Sequence, residues 1–140
     1  MSKEINRLVI DTNLWISLAL GSRKVAEKLI PIISSDYIRV FTSIELLDEI
    51  TETLQKPRLQ IYLTQERVKT IFDLLLESTI IITTTSDLKI CRDKKDDFLL
   101  NLAVDAKANY LLSGDKDLLD LGKVETVEIV NIAEFYEKYF

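Results

Sequence analysis

Short apolar runs alternating with amphipathic stretches predict an α/β protein: a three-layer α/β/α sandwich with a central parallel β-sheet. Three observations carry this. Leu8-Val9-Ile10 and Tyr110-Leu111-Leu112 are brief and apolar at almost every position, as strands covered on both faces are. Helical stripes separate such runs, and strands joined by helical crossovers pair in parallel. The chain has 140 residues, 47% of them apolar, enough to bury one core but not two. Residues 1–140 are therefore expected to form one domain.

Each element has a local reason. Residues 6–10 form the first strand, which stops at Asp11-Thr12-Asn13. Residues 13–20 and 23–34 read as helices separated at Gly21-Ser22, with Ser22 able to cap the second. Ile38 to Phe41 is a short strand. A helix starts at Thr42 or Ser43, carries Ile44, Leu46, Leu47, Ile50 and Leu54, and ends ahead of Pro57, because the residue before proline avoids helical backbone. Lys56 to Tyr62 fits no element and is expected to connect two helices. Thr64 caps the next helix, whose apolar stripe is Val68, Ile71, Phe72, Leu75 and Leu76. Thr79 to Thr83 is β-branched throughout and predicts a buried strand. A helix beginning near Asp93 to Asp96 runs to about Ala108 and buries Leu99, Leu100, Leu102, Ala103 and Ala106. Tyr110 to Leu112 is a strand, Gly114 allows a tight turn, and Asp115 to Leu119 starts a short helix. Residues 126–130 and Ile132 to Tyr139 are the last strand and helix.

Composition narrows the chemistry. The chain has no histidine, which excludes a Ser-His-Asp triad, a Cys-His pair and histidine-bound zinc. The single cysteine, Cys91, cannot form an internal disulfide and reads as a small core residue. A net charge of −5 argues against a protein that coats nucleic acid through a basic surface, but a metal-dependent nuclease carries an acidic site by design. No apolar run is long enough to span a bilayer, and Met1 to Asn6 lacks the apolar stretch of a secretory leader. A cytoplasmic protein is expected.

The acids are the most informative residues. Asp11 ends an apolar run, where a buried charge is costly unless it is partnered. Three more clusters lie downstream: Glu45-Asp48-Glu49, Asp93-Asp96-Asp97 and Asp115-Asp117. Singly, each of these has a plainer reading as a helix cap, a first-turn acid or a solvated face. Together, at positions that a parallel sheet can bring to one edge, they point to a divalent cation held by oxygen ligands. Asp93 reads as a cap. Glu45 and Glu49, four residues apart, share one helix face.

Val9-Ile10-Asp11-Thr12-Asn13 resembles the opening strand of a PIN domain, and Ser113-Gly114-Asp115-Lys116-Asp117-Leu118-Leu119 resembles its late acidic signature. Glu49 matches the family's second acid, and Asp96, with Leu99 and Ala103 following, its third. Cys91 to Leu99 and Lys56 to Leu59 look most like a VapC-like subfamily of toxins from toxin–antitoxin modules. The resemblance implies an endoribonuclease that cuts single-stranded RNA with Mg²⁺ or Mn²⁺. It implies Asp11, Glu49, Asp96 and Asp115 as catalytic metal ligands, with Asp97 and Asp117 as alternatives or additions. Thr12, Asn13 and Ser113 would orient these ligands or touch phosphate, and Lys94, Lys95 and Lys116 would hold the RNA backbone. It also implies a cognate antitoxin and a homodimer as partners. Two other readings compete: a PIN-like module that binds RNA or protein without cutting, and a receiver-like phospho-acceptor domain. The receiver is disfavoured because Thr79 to Thr83 ends in Thr84-Thr85 rather than in an aspartate.

Overall fold

The computed structural model describes residues 4–140; Met1 to Lys3, part of the segment read above as lacking a leader, lie outside the described residues. The elements follow in order: β1 Asn6–Ile10, α1 Thr12–Ala19, α2 Arg23–Ser34, β2 Ile38–Thr42, α3 Ile44–Leu54, α4 Pro57–Gln60, α5 Gln65–Ser78, β3 Thr79–Ile81, α6 Lys94–Asp105, β4 Tyr110–Leu112, α7 Lys116–Leu121, β5 Lys123–Val124, β6 Val127–Val130 and α8 Ile132–Tyr139. The strands form one sheet in the order β3-β2-β1-β4-β6-β5, flanked by helices. All neighbouring pairs are parallel except β5 with β6.

Local chemistry starts most of the helices. The side chains of Ser22, Ser43, Thr64 and Asn131 accept from the amides of Val25, Leu46, Arg67 and Glu134, so each ties down a donor that the helix leaves free. The core is built on β1 and β4: Leu8, Val9, Ile10, Leu111 and Leu112 are fully buried. Trp15 of α1 and Leu100 and Leu102 of α6 join them, and α6 packs across β1, β2 and β4. Gly21 follows α1 at φ 85°, a backbone that side chains rarely adopt. A Cβ there would also meet Arg67 Nη2 at 3.1 Å. Arg67 Nε donates to the Ala19 carbonyl at 2.5 Å and so closes the end of α1 from α5.

Several expectations are corrected. The sheet is not wholly parallel: β5 and β6 form an antiparallel hairpin at one edge, where a connection of two residues, Glu125 and Thr126, leaves no room for a crossover helix. Thr79 to Thr83 is not a buried strand. Only Thr79–Ile81 pairs, at the other edge of the sheet, with Ile80 and Ile81 about half exposed. Pro57–Gln60 forms a short helix, since proline suits a first helical position. Leu76 and Ile44 lie on the outer faces of their helices and are exposed. Cys91 is half-buried rather than a core residue. Gly114 does not use its conformational freedom, and a Cβ there would meet open space. Among the described residues no helix is long and apolar enough to cross a membrane.

Candidate active site

Parallel pairing positions the acids. Ile10 of β1 stands opposite Leu112 of β4, so the residues following both strands emerge side by side at the carboxyl edge. The chain leaves β1 toward β2 on one side, while β4 stands on the other. In an open α/β sheet such a switch point opens a crevice. Asp11 and Ser113 meet there. The Asp11 amide donates to the Leu112 carbonyl at 2.9 Å, and Ser113 Oγ donates to Asp11 Oδ2 at 2.6 Å. Ser113 is fully buried and Asp11 is 5% exposed. The same hydroxyl accepts from the Asp115 amide at 3.0 Å, turning the chain so that Asp115 caps α7 through the Asp117 amide.

Glu49 arrives from α3. Its Oε2 accepts from the buried Thr12 Oγ1 at 2.7 Å. Asp96 arrives from the first turn of α6 and is half-buried. Electrostatics ties the four together. Burial pushes the Asp11 carboxyl upward, Glu49 and Asp115 push it further, and the Ser113 hydrogen bond opposes them. Burial likewise raises Asp96 to about 6, with Asp115, Asp93 and Asp11 adding to it. Like charges thus repel one another from Glu49 through Asp11 and Asp115 to Asp96.

Among the described residues no group of three or more Asp, Glu and Cys side chains stands in metal-ligating geometry. The donors are nevertheless all hard oxygens, which suits Mg²⁺ or Mn²⁺, and the mutual repulsion of Asp11 and Asp96 with their neighbours is what a cation relieves. Binding one requires this open set to draw in.

The other candidates fall in different places. Asp97 is turned away from the group and buried: its Oδ1 accepts from the amides of Ile90 at 2.9 Å and Cys91 at 2.7 Å, which hold its pKa below the ordinary range. Asp117 contributes its amide to Asp115 and leaves its carboxylate exposed. Asn13, Lys94, Lys95 and Lys116 are exposed. Asp93 caps α6 through the Lys95 amide at 3.0 Å. Burial first, then Asp97, Asp96 and Asp115, push the Cys91 thiol up to about 12, which leaves it a poor nucleophile.

One set of residues has no counterpart in the sequence reading. Asp97, Asn101 and Asp105 recur every four residues along one face of α6 and bind the segment that precedes it. Asn101 Oδ1 accepts from the Leu88 amide at 2.7 Å, and its Nδ2 donates to the Leu88 carbonyl at 3.3 Å. Asp105 accepts from the amides of Thr85 at 2.5 Å and Ser86 at 3.0 Å, and from Ser86 Oγ at 2.5 Å. The acid–amide–acid spacing was visible, but polar residues at a four-residue interval usually mark a solvated helix face. This ladder explains how Asp96 reaches the site although α6 does not follow β3 directly. The intervening residues 82–93 are pinned along the helix.

A family model for the PIN domain matches residues 7–117. An uncharacterized protein of Methanocaldococcus jannaschii is 33% identical over 122 residues, covering 86% of this chain and 78% of that protein. VapBC2 from Rickettsia felis, solved bound to a DNA fragment from its promoter, matches with a TM-score of 0.60 at 12% identity, over 89% of this chain and 98% of that one. The PIN domain of human SMG5 matches with a TM-score of 0.52 at 13% identity, over 96% of this chain and 99% of that one. At these identities the two structures speak to the fold.

Proposed function

The chain belongs to the PIN domain family, and from that premise we propose that it is a Mg²⁺- or Mn²⁺-dependent endoribonuclease acting on single-stranded RNA, the toxin of a toxin–antitoxin module. The observation that carries the nuclease reading is the electrostatic linkage of Asp11, Glu49, Asp96 and Asp115 at the switch point. These four would hold the ion. A divalent cation there would polarise the scissile phosphate and lower the pKa of an attacking water. The chain's own part is positioning. Ser113 fixes the Asp11 carboxylate, and Thr12 fixes that of Glu49. Exposed Lys94, Lys95 and Lys116 supply phosphate contacts beside the acids.

The toxin role rests on the sequence resemblance, and it calls for a protein partner that covers the acidic edge with a basic side chain such as arginine. The open spacing of the carboxylates favours a second reading, a PIN module that binds RNA without cutting it. One assay separates the two. Purified protein is incubated with labelled single-stranded RNA in Mg²⁺ or Mn²⁺, with EDTA and Asp11→Asn as controls. Cleavage that both controls abolish supports the nuclease. No cleavage by the wild type in either metal leaves the binding module.

A further inference from the structure

The two edges of the sheet are built differently. At one end β5 is two residues long, Lys123 and Val124, and its lysine is exposed. A charge on a short strand is a common protection of an open edge against another strand. At the other end β3 has no such guard. It lies within Ser78 to Ser86, nine residues without a charge in a chain where 29% are charged. Seven of the nine, Thr79 to Thr85, are β-branched, the composition that favours strands. Yet β3 pairs on one side alone, and Ile80 and Ile81, which point to opposite faces of the sheet, are about half exposed.

The unpaired side of β3 offers a short ladder. In a parallel pair, successive residues turn their backbone groups alternately toward the neighbour and away from it. The Ile82 amide donates to the Thr42 carbonyl, so Ile81 and Thr83 turn theirs outward. Among the described residues neither of these two amides has a hydrogen-bond partner. Exposure alternates from Ile81 to Thr83, as it does along a strand, so the extended backbone continues past the last paired residue. The ladder stops short of Thr85, whose amide is held by Asp105. It cannot begin before Thr79, because Ser78 ends α5.

This segment is complementary to itself. About a twofold axis at Ile81 it meets a second copy of the chain antiparallel. Each Ile81 then faces the Ile81 of the second copy and exchanges both backbone hydrogen bonds with it, and Thr79 does the same with Thr83. Ile80 faces Ile82 of the second copy across the other face of the sheet, so each exposed isoleucine of β3 gains an isoleucine neighbour. A shift of two residues one way sets Ile81 against threonine and calls on the Thr85 amide, which Asp105 holds. A shift the other way calls on Glu77, which is helical. Charge points to the same contact: two chains of net charge −5 repel each other, and they approach most readily where neither carries a charge. We infer that the chain self-associates through β3, joining two six-stranded sheets into one continuous sheet. Antiparallel copies turn their carboxyl edges in opposite directions, so both sets of acids stay open, and the inference stands apart from what those acids do. A ladder of Thr79 to Thr83 falls well short of the roughly 20–30 residues a side of a standard interface, so the pairing depends on concentration.

Sedimentation equilibrium of the purified chain, over roughly a hundredfold range of concentration, should show monomer passing into dimer. Ile81→Lys should stay monomeric over the same range, because it sets two like charges face to face at the axis. Ile81 is half exposed, so the melting temperature of dilute protein should barely change. Hydrogen exchange reads the contact without any variant. The amides of Ile81 and Thr83 should slow roughly tenfold or more between dilute and concentrated wild type, as newly formed hydrogen bonds protect them. The Ile82 amide, already bonded to Thr42, should change far less. A wild type that stays monomeric throughout overturns the inference and leaves this edge to a strand of another protein. A dimer that Ile81→Lys leaves intact, or one in which the Ile81 amide exchanges as fast as in the monomer, forms elsewhere and overturns it too.

Discussion

Ser113 donates to Asp11 and accepts from the Asp115 amide, so one fully buried hydroxyl serves two acids. Ser113→Ala should destabilise the fold by about 1–3 kcal/mol, the usual result of stranding a buried acceptor. It should also push the Asp11 carboxyl higher, because the strongest of the hydrogen bonds that restrain it is gone. Ser113→Thr restores the hydroxyl and should recover both stability and cleavage; if it does not, the hydroxyl is not what matters. Asp11 carries the opposite lesson. Its charge is buried among like charges, so Asp11→Asn should raise the melting temperature of the metal-free protein. Mn²⁺ should stabilise the wild type by mass action, and the mutant should lack that gain. An equal Mn²⁺ response in both proteins would remove Asp11 from the metal set.

Helix α6 works on three faces: apolar residues to the sheet, Asp96 to the acids, and Asp97, Asn101 and Asp105 to the segment before it. Two adjacent aspartates thus have different work. Asp96→Ala should abolish cleavage and leave the melting temperature unchanged or higher. Asp97→Ala should lower stability, because two amides lose their acceptor. Hydrogen exchange can read the ladder rung by rung. In Asp105→Ala the amides of Thr85 and Ser86 should exchange quickly while those of Ile90 and Cys91 stay protected. Uniform protection would show that the segment is held by something else. The strand-ending Asp11, the capping residues and the core faces were legible because each depends on its immediate neighbours in sequence. The edge position of Thr79–Ile81 was not, because strand order is a tertiary fact that β-branched composition cannot reveal. Whether Asp96 or Asp97 faced the acids was equally hidden, since it depends on a segment that shows no periodic pattern of its own.

At the scale of the whole molecule, two populations of carboxylates act in opposite directions as pH changes. Asp96 titrates near 6 in the fold, and Asp11 is also raised, so below neutrality the folded state takes up protons more readily than the unfolded chain. Stability of the metal-free protein should therefore rise as pH falls from 7 toward about 4. Asp97 and Asp105 have lowered pKa values, through the Cys91 and Ile90 amides for the first, and through Ser86 and Thr85, which outweigh burial, for the second. Their contribution is present above the ordinary aspartate value of 3.8 and is lost as pH falls through their folded values. Denaturant midpoints in EDTA should peak in mildly acidic buffer and drop below that value. With Mn²⁺ present the rise toward pH 4 should vanish, because protons then compete with the ion. A midpoint that falls steadily from pH 7 downward without metal would show that the acids do not repel one another in the fold.

The α6 ladder also makes chain length a constraint. Loops usually absorb insertions and deletions cheaply. Here Thr85 and Ser86 meet Asp105, Leu88 meets Asn101, and Ile90 and Cys91 meet Asp97, so the segment and the helix run as two rulers laid antiparallel. Removing Asp87 alone, an exposed residue between two rungs, would put every mark on one side out of step with the helix. This stretch without regular structure is thus held to a fixed length by its helix.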